Sequence, residues 1–205
     1  MRNTIQNSLN KTDIRLLDFL SVKTQNRFLD RIMPWITHSN DFGEIYMVLA
    51  LFALFWDKNV NAFICILTAL LFGMIFGEVV IKRIVKRKRP LQNEYKMLIN
   101  LPKSYSFPSG HTTSSFAVLG VVWASFPRYK FIILVLAALI AFSRLYLHVH
   151  YPTDVLGGID LGIMCAAVTI WLSPDEVLIK NAYKYSNDIL KDAYKAAYSF
   201  LIYLI

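Results

Sequence analysis

Five apolar runs, separated by short polar connections, constrain the fold of this chain more than any other feature. They cover residues 41–56, 62–81, 111–126, 131–147 and 155–172. The runs are short, but each approaches the roughly 20 residues that a helix needs to cross a bilayer. Of all 205 residues, 56% are hydrophobic and only 18% are charged, which is too apolar for an average soluble domain. The sequence therefore predicts an all-α integral membrane bundle with about five transmembrane helices.

Two amphipathic segments flank these runs. Residues 16–36 mix apolar side chains with five charges, which are too many for a helix that crosses a bilayer. Phe28 and Ile32 fall on one face of that helix, and residues 177–205 repeat the pattern with aromatic and lysine faces. Both segments predict helices on the membrane surface, whereas residues 1–12 predict a loosely held end. We expect three regions: an N-terminal interfacial segment (1–40), a transmembrane domain (41–173) and a C-terminal amphipathic helix (174–205).

The positive charge of the chain is concentrated in one connection. Between Lys82 and Lys103 the sequence places eight basic residues and a single acid, Glu94, although the net charge of the whole chain is only +8. Basic runs bind nucleic acid or lipid headgroups, or form a solvated surface. Because this run lies between two apolar runs, it favours a phosphate-bearing partner at the membrane and argues against nucleic acid. Four of its residues are expected to attract anionic headgroups or to form a solvated helix end: Arg83, Lys86, Arg87 and Lys88.

A short polar loop, Ser106-Phe107-Pro108-Ser109-Gly110-His111, opens the third apolar run. Pro, a small hydroxyl residue and Gly in this order are typical of a first helical turn, whose free backbone N–H groups bind anions. Gly110 lets an anion approach the backbone closely, and His111 places a titratable group beside it. Taken alone, the loop is equally compatible with a helix entry that happens to contain a histidine.

The strongest indication of a site is the convergence of polar residues at one end of the predicted bundle. The end of the second run, the start of the third, the end of the fourth and the start of the fifth share one membrane face. Arg144 lies within an otherwise apolar run, where a charge is costly and usually functional. The polar residues that map to this face are Lys82, Arg89, Ser109, His111, Arg144, His150 and Asp154.

These residue types suit phosphoryl transfer. Three cations and a helix start can surround an anion whose charge spreads over three oxygens. Asp154 can reach back to one nitrogen of His150, which leaves the other nitrogen free to attack, and His111 can protonate the leaving oxygen. Two histidines and an aspartate could instead bind zinc, but three nearby cations would repel a dication. We therefore expect neither a metal ion nor a cofactor.

Three sequence blocks in this order resemble the signature of the type 2 phosphatidic acid phosphatase (PAP2) superfamily. They are Lys82-X6-Arg89-Pro90, Ser109-Gly110-His111, and Ser143-Arg144-X5-His150-X3-Asp154. The resemblance implies that His150 forms a phosphohistidine, that Asp154 supports it, and that His111 is the general acid. It also implies metal-independent hydrolysis and a set of phosphate-binding residues: Lys82, Arg89, Ser109, Gly110 and Arg144.

The resemblance extends to short bacterial members that dephosphorylate undecaprenyl diphosphate and phosphatidylglycerophosphate. It implies a membrane lipid phosphatase that hydrolyses a lipid phosphomonoester or diphosphate, with undecaprenyl diphosphate as the first expectation. Lipid A phosphatase and phosphatidic acid phosphatase activities are alternatives; a vanadium-haloperoxidase-like enzyme, a soluble acid phosphatase and a non-catalytic membrane protein are more remote. The chain departs from the usual six-span pattern, because the amphipathic segment 16–36 replaces the first span.

The expected location is the cell membrane, with several passes. The partners are the bilayer and a phosphorylated lipid, and no obligatory protein partner is indicated. Most of the 22 Lys and Arg residues lie on the face that carries the site, which by the positive-inside rule predicts a cytoplasmic site. The phosphate pocket itself biases that count, and the family resemblance favours the opposite side. We therefore expect the site on the outer face.

Overall fold

A computed structural model of the chain describes residues 2–41, 43–90, 97–175, 178, 180–181 and 184. Within these residues every regular element is helical, which confirms the predicted all-α fold. The helices are α1 (Arg2–Thr24), α2 (Arg27–His38), α3 (Glu44–Phe55), α4 (Val60–Gly73), a π-helix (Met74–Ile81), α5 (Lys82–Val85), α6 (Gly110–Ser125), a short 3₁₀ turn (Pro127–Tyr129), α7 (Lys130–Tyr146) and α8 (Pro152–Leu172).

Within the part of the chain that the structure describes, three helical stretches are long and apolar enough to cross a membrane. They are Val60–Val85, Pro127–Tyr146 and Pro152–Leu172, while Glu44–Phe55 is a shorter apolar helix. Each corresponds to one of the predicted apolar runs, because a long run without charges is stable in lipid only as a helix. The predicted total of about five crossings stays a prediction.

Helix α6 forms the centre of the bundle and packs most extensively against α8. Glycines make this approach possible: a Cβ atom on Gly158 would lie 2.8 Å from the Ser109 carbonyl oxygen, and one on Gly162 would lie 2.6 Å from that of Thr113. Small residues four positions apart are typical of closely packed membrane helices. The close contact fixes the first turn of α6 against the first turn of α8, where the predicted site residues lie.

The N-terminal region differs from the sequence prediction. Residues 16–36 do not form one helix, because the helix is interrupted at Asn26. The side-chain oxygen of Asn26 accepts hydrogen bonds from the backbone N–H groups of Phe28 (3.0 Å) and Leu29 (2.9 Å). Asparagine is a favoured N-cap, so a second helix begins here. Helix α1 also begins at Arg2, in the stretch predicted to be loosely held. The predicted C-terminal helix over 174–205 lies largely outside the described residues.

Candidate active site

A cavity of about 660 Å³ opens at the end of the bundle where the polar residues were predicted to converge. Its polar wall contains six of the eight predicted site residues: Lys82, Arg89, Gly110, His111, Arg144 and His150. The other two, Ser109 and Asp154, are fully buried and are not among the residues that line it. The folded chain thus brings together four separate segments that are distant in sequence.

The loop between α7 and α8 places His150 beside Asp154. Pro152 is the first residue of α8, where its missing N–H and fixed φ suit a helix start. Asp154 therefore lies in the first turn of α8, and its Oδ2 accepts a hydrogen bond from the backbone N–H of Tyr151 at 2.8 Å. The same Oδ2 atom lies 3.5 Å from His150 Nδ1. The spacing His150-X3-Asp154 in the sequence predicted this contact.

The hydrogen bonds of His150 define which of its nitrogens can attack. Arg89 Nη1 lies 3.0 Å from His150 Nε2. Because a guanidinium has donors and no acceptor, Nε2 must offer its lone pair, and the ring proton lies on Nδ1, toward Asp154. Burial, together with the cations Arg89 and Arg144, lowers the pKa of His150 to about 3, against the opposing effect of Asp154. His150 is therefore a neutral imidazole at physiological pH, and its unprotonated Nε2 accepts a hydrogen bond from Arg89 at the cavity.

Three cations converge on the cavity from different elements. Lys82 lies at the start of α5, Arg89 follows α5, and Arg144 lies near the end of α7. Arg89 is held by its neighbours: its Nε donates to the Ser104 carbonyl oxygen at 2.9 Å and its Nη1 to that of Val149 at 2.7 Å. Such contacts fix the guanidinium before an anion binds. The arrangement is a preformed positive cradle.

Arg144 is the most informative of these cations. Its side chain is 2% exposed, and one guanidinium nitrogen donates to the hydroxyl of Thr37 on α2. Its Nε atom is buried and has no hydrogen-bond partner among the described residues. A buried charged donor without a partner is expensive. The atom is therefore suited to an oxyanion that enters the cavity.

The start of α6 forms the fourth part of the cradle. The Ser109 side chain caps the helix, since its Oγ accepts from the backbone N–H of Thr112 (3.5 Å). A Cβ atom on Gly110 would lie 2.3 Å from Glu78 Oε1, and the same carboxylate is 2.6 Å from Lys82 Nζ. A carboxylate thus lies where a helix N-terminus and a lysine meet, which is favourable for any anion. Glu78 and Lys82 form an ion pair across one helical turn.

His111 has a carboxylate partner that the sequence prediction missed. Its Nε2 atom lies 3.0 Å from Asp41 Oδ1, in the turn before α3, and Asp41 Oδ2 lies 2.6 Å from His38 Nδ1. His38 is 55% exposed, so the chain of contacts leads from the cavity to solvent. In the sequence Asp41 is a single acid before an apolar run, a pattern too common to indicate such a contact.

Arg87 and Asp13 are the second omission. Arg87 was expected to attract headgroups or to form a solvated helix end, but this is wrong: its Nη1 atom donates to Asp154 Oδ1 at 2.7 Å. Its Nη2 atom donates to Asp13 of α1 at 2.5 Å. The hydroxyl of Ser106, in the loop before α6, donates to the other oxygen of Asp154. These contacts join residues that are far apart in sequence, so no local pattern could reveal them.

One part of the cavity wall is apolar. Side chains of α3, α4 and the π-helix line it, namely Met47, Leu67, Leu70, Leu71 and Met74. Leu67, Leu71 and Met74 are also exposed residues. A surface of this kind is suited to hydrocarbon and unsuited to water. The cavity therefore has a cationic end and an apolar arm.

Comparison with known proteins now places the chain in a family. The model of the PAP2 superfamily matches residues 62–177, more than half of the chain and all three sequence blocks. The chain therefore belongs to the PAP2 superfamily, and the predicted phosphatase of that family is confirmed. Its apolar helices and its membrane relatives make it a membrane protein.

Two curated relatives illustrate the range of similarity. Phosphatidylglycerophosphatase B of Bacillus subtilis is 29% identical over 163 residues, which are 70% of this chain and 75% of the relative. Decaprenylphosphoryl-5-phosphoribose phosphatase of Mycolicibacterium smegmatis is 43% identical over 82 residues, but these are only 39% of this chain and 43% of the relative.

Two solved structures share the fold. The PAP2-type phosphatidylglycerolphosphate phosphatase of Bacillus subtilis matches with a TM-score of 0.66 and 25% identity, over 80% of this chain and 85% of that one. LpxE of Aquifex aeolicus matches with a TM-score of 0.67 and 24% identity, over 77% of this chain and 94% of that one. The predicted membrane helical bundle is thereby confirmed.

Proposed function

We propose that this protein is a metal-independent lipid phosphatase that transfers the phosphoryl group of a membrane lipid to His150 and then to water. The observation that carries the proposal is the pairing of two buried atoms at one cavity. His150 lines the cavity and its unprotonated Nε2 accepts from Arg89, and Arg144, whose buried Nε has no hydrogen-bond partner among the described residues, lines the same cavity. One is a nucleophile for phosphorus, and the other is a donor for a phosphate oxygen.

In the first step Arg89 Nη1 leaves His150 Nε2 for a phosphate oxygen, and Nε2 attacks the phosphorus atom. The N–P bond forms while the bond from phosphorus to the lipid oxygen breaks, and His111 gives its proton to that leaving oxygen. The positive imidazole ring that results is stabilised by Asp154, whose Oδ2 lies 3.5 Å from Nδ1. Lys82, Arg89, Ser109, Gly110 and Arg144 are the proposed phosphate-binding residues.

In the second step water attacks the phosphohistidine. His111, now neutral, takes a proton from that water, so one residue serves as acid and then as base. The N–P bond breaks, inorganic phosphate leaves and His150 returns to its neutral form. His111 then holds the proton that the next first step requires, and no metal ion is required to generate the nucleophile. A bound phosphate competes with Glu78 for Lys82, because the phosphate and the Glu78 carboxylate are both anions that use the same ammonium group.

The proposed substrate has a phosphate on a long hydrocarbon chain. The apolar arm of the cavity supports this choice, because Leu67 and Leu71 line the cavity with exposed hydrocarbon surface. Relatives are named as phosphatases of phosphatidylglycerophosphate, of a decaprenylphosphoryl sugar and of lipid A. We select undecaprenyl diphosphate first and phosphatidylglycerophosphate second, with lipid A phosphates and phosphatidic acid as further candidates.

The proposal is tested with purified protein, four lipid substrates and a chelator. We expect phosphate release to continue in excess EDTA, to be inhibited by vanadate, and to be fastest with undecaprenyl diphosphate. Loss of activity in EDTA that zinc restores would overturn the metal-independent mechanism. A preference for another lipid in the panel would change the substrate assignment and leave the mechanism intact.

We further propose that the site faces the outside of the cell. Lys96→Cys can be tested for labelling by a membrane-impermeant maleimide in intact cells, because the two native cysteines, Cys65 and Cys165, are buried. Labelling of intact cells supports an outer site. Labelling only after the membrane is permeabilised would place the site in the cytoplasm, as the positive-inside rule predicts.

A further inference from the structure

Arg87 lies behind the proposed catalytic pair and away from the cavity lining. One nitrogen, Nη1, donates both to Asp154 Oδ1 (2.7 Å) and to the Thr153 hydroxyl (2.6 Å). The guanidinium also lies 4.1 Å from the centre of the Tyr151 ring, within range of a cation–π contact. Its backbone is fixed as well, since its carbonyl oxygen accepts from the N–H of Ser106 at 2.8 Å. Arg87 therefore has a defined position behind Asp154.

Asp13 completes the arrangement from the N-terminal helix. Its side chain is 1% exposed, although most described neighbours on α1 are exposed. Its Oδ2 atom accepts from Arg87 Nη2 at 2.5 Å and from the Thr153 hydroxyl at 2.6 Å, while its Oδ1 accepts from the Thr153 backbone N–H at 3.1 Å. A buried carboxylate needs such partners to offset its desolvation. Helix α1 is thus bound to the first turn of α8 through one acid.

We propose that Arg87 and Asp13 are positioning residues for Asp154, so that the docking of α1 sets the orientation of His150. The inference rests on the proposed function of His150 and Asp154. It gives the N-terminal helix a role in the reaction, in addition to its predicted place on the membrane surface.

The two oxygens of Asp154 explain why this pair would affect the reaction. Arg87 holds Oδ1, while the Tyr151 backbone N–H and the Ser106 hydroxyl hold Oδ2, which lies beside His150 Nδ1. Without Arg87 the carboxylate loses the ion pair that fixes its other oxygen, and its orientation toward the imidazole becomes less defined. Asp13 counters the charge of Arg87, because a guanidinium with no second acid would attract Asp154 more strongly and weaken its effect on the imidazolium. Both residues therefore act on the step in which positive charge develops on His150, and neither would contact the lipid.

The test compares kcat and KM for four variants and two matched controls. The variants are Arg87→Gln, Arg87→Lys, Asp13→Asn and the double variant Arg87→Gln/Asp13→Asn. The controls are Lys88→Gln, an exposed neighbour of Arg87, and Arg15→Gln, an exposed residue of α1. Activity is measured on the lipid that the wild-type protein hydrolyses fastest, with His150→Ala alongside. Elution as a single species in detergent and the thermal midpoint report folding.

We expect Arg87→Gln to lower kcat about 10- to 100-fold and to leave KM within about twofold. The same range is seen when a residue that orients a metal-binding side chain by a hydrogen bond is removed. Arg87→Lys recovers part of the loss, because an ammonium group can reach one carboxylate but cannot reproduce both contacts. Asp13→Asn causes a smaller loss of kcat. The double variant resembles Arg87→Gln, because both changes act on the same contact. The two controls keep wild-type kcat.

Several results would overturn the inference. One is a folded Arg87→Gln or Asp13→Asn protein with wild-type kcat; another is a loss confined to KM, or an equal loss in Lys88→Gln. If Arg87→Gln does not fold, Arg87→Lys and Asp13→Asn decide by the same criteria, and unfolding of all three would show a purely structural role. Failure of the proposed function has a different signature, namely a wild-type protein without phosphatase activity or a His150→Ala protein that retains it.

Discussion

The two histidines of the site have opposite surroundings. The His150 side chain is 2% exposed, and its partner Asp154 is completely buried. His111 is 16% exposed, and its partner Asp41 is 39% exposed. One histidine is enclosed with its carboxylate, whereas the other is paired with a carboxylate at the edge of the cavity.

The difference matches the two tasks assigned to the histidines. A nucleophile must be aimed at phosphorus, and its orientation is best fixed by buried contacts that do not exchange with water. A general acid must gain and lose a proton in every cycle, so a route to solvent is useful. The contacts from His111 through Asp41 to the exposed His38 provide one. Rigid burial and solvent access are thus divided between the two sides of one phosphate cradle.

The largest expected effect comes from removal of the enclosed histidine. His150→Ala should lower kcat by about 10⁴-fold or more, as removal of a nucleophile or its base does in other covalent mechanisms. The loss should be similar for a lipid phosphate and for para-nitrophenyl phosphate, because both need the nucleophile. Phosphate release is the measurement, and the thermal midpoint of the variant is the control for folding. A much smaller loss on either substrate would contradict the role of His150 as the nucleophile.

The next effect separates the second histidine from the first. His111→Ala should lower kcat on a lipid phosphate by about 10²- to 10⁴-fold. Para-nitrophenolate leaves without a proton, so the loss in the first step should be much smaller when release of nitrophenol is measured as a single-turnover burst. Equal losses with both leaving groups would contradict a role for His111 as the general acid.

The contact between His111 and Asp41 should have an intermediate effect. Asp41→Asn leaves an amide beside His111 but removes the charge that stabilises its imidazolium. We expect kcat to fall about 10-fold, which corresponds to about 1.4 kcal/mol, somewhat more than one exposed ion pair contributes. Glu44→Gln removes an exposed carboxylate three residues further along and should keep wild-type kcat. If both variants lose activity equally, the effect belongs to the general negative charge at this surface.

The smallest expected effect is on stability and concerns His150 again. Its pKa is lowered to about 3 by burial, whereas an imidazole in the unfolded chain titrates near 6.5. Between these values the unfolded state binds a proton that the folded state does not, so stability is full above pH 6.5 and falls as the pH decreases toward 3. The thermal midpoint should therefore decrease below pH 6.5 more steeply in the wild type than in His150→Gln. Parallel curves would contradict the burial of a neutral His150.

The sequence predicted the helices and the convergence of the site for physical reasons. Apolar runs of near-membrane length have few alternatives to a helix, and a charge such as Arg144 in an apolar run is costly enough to indicate function. The same reasons identified the reach from Asp154 to His150, because first-turn spacing is local. The helices and the contact between Asp154 and His150 depend on residues close together in the chain, and the convergence of the site depends on the alternation of spans across the membrane.

The missed contacts depend on tertiary packing. Asp13 and Arg87 are 74 residues apart, and the polar character of residues 1–12 suggested a loose end to the chain. In the structure the same helix buries Asp13 and Leu17 against the bundle. The break at Asn26 was readable in principle, since asparagine is a common N-cap, but the amphipathic pattern on both sides of it concealed the boundary. Contacts of this kind leave no periodic signal in one sequence.

The most direct test of the mechanism is the chemical identity of the phosphorylated enzyme. The protein is mixed with a ³²P-labelled lipid phosphate, quenched in alkali within the first turnover, and digested to locate the label. We predict an alkali-stable, acid-labile phosphohistidine at residue 150 in the wild type. Label on a different residue, or label that persists in His150→Ala, would contradict attack by His150.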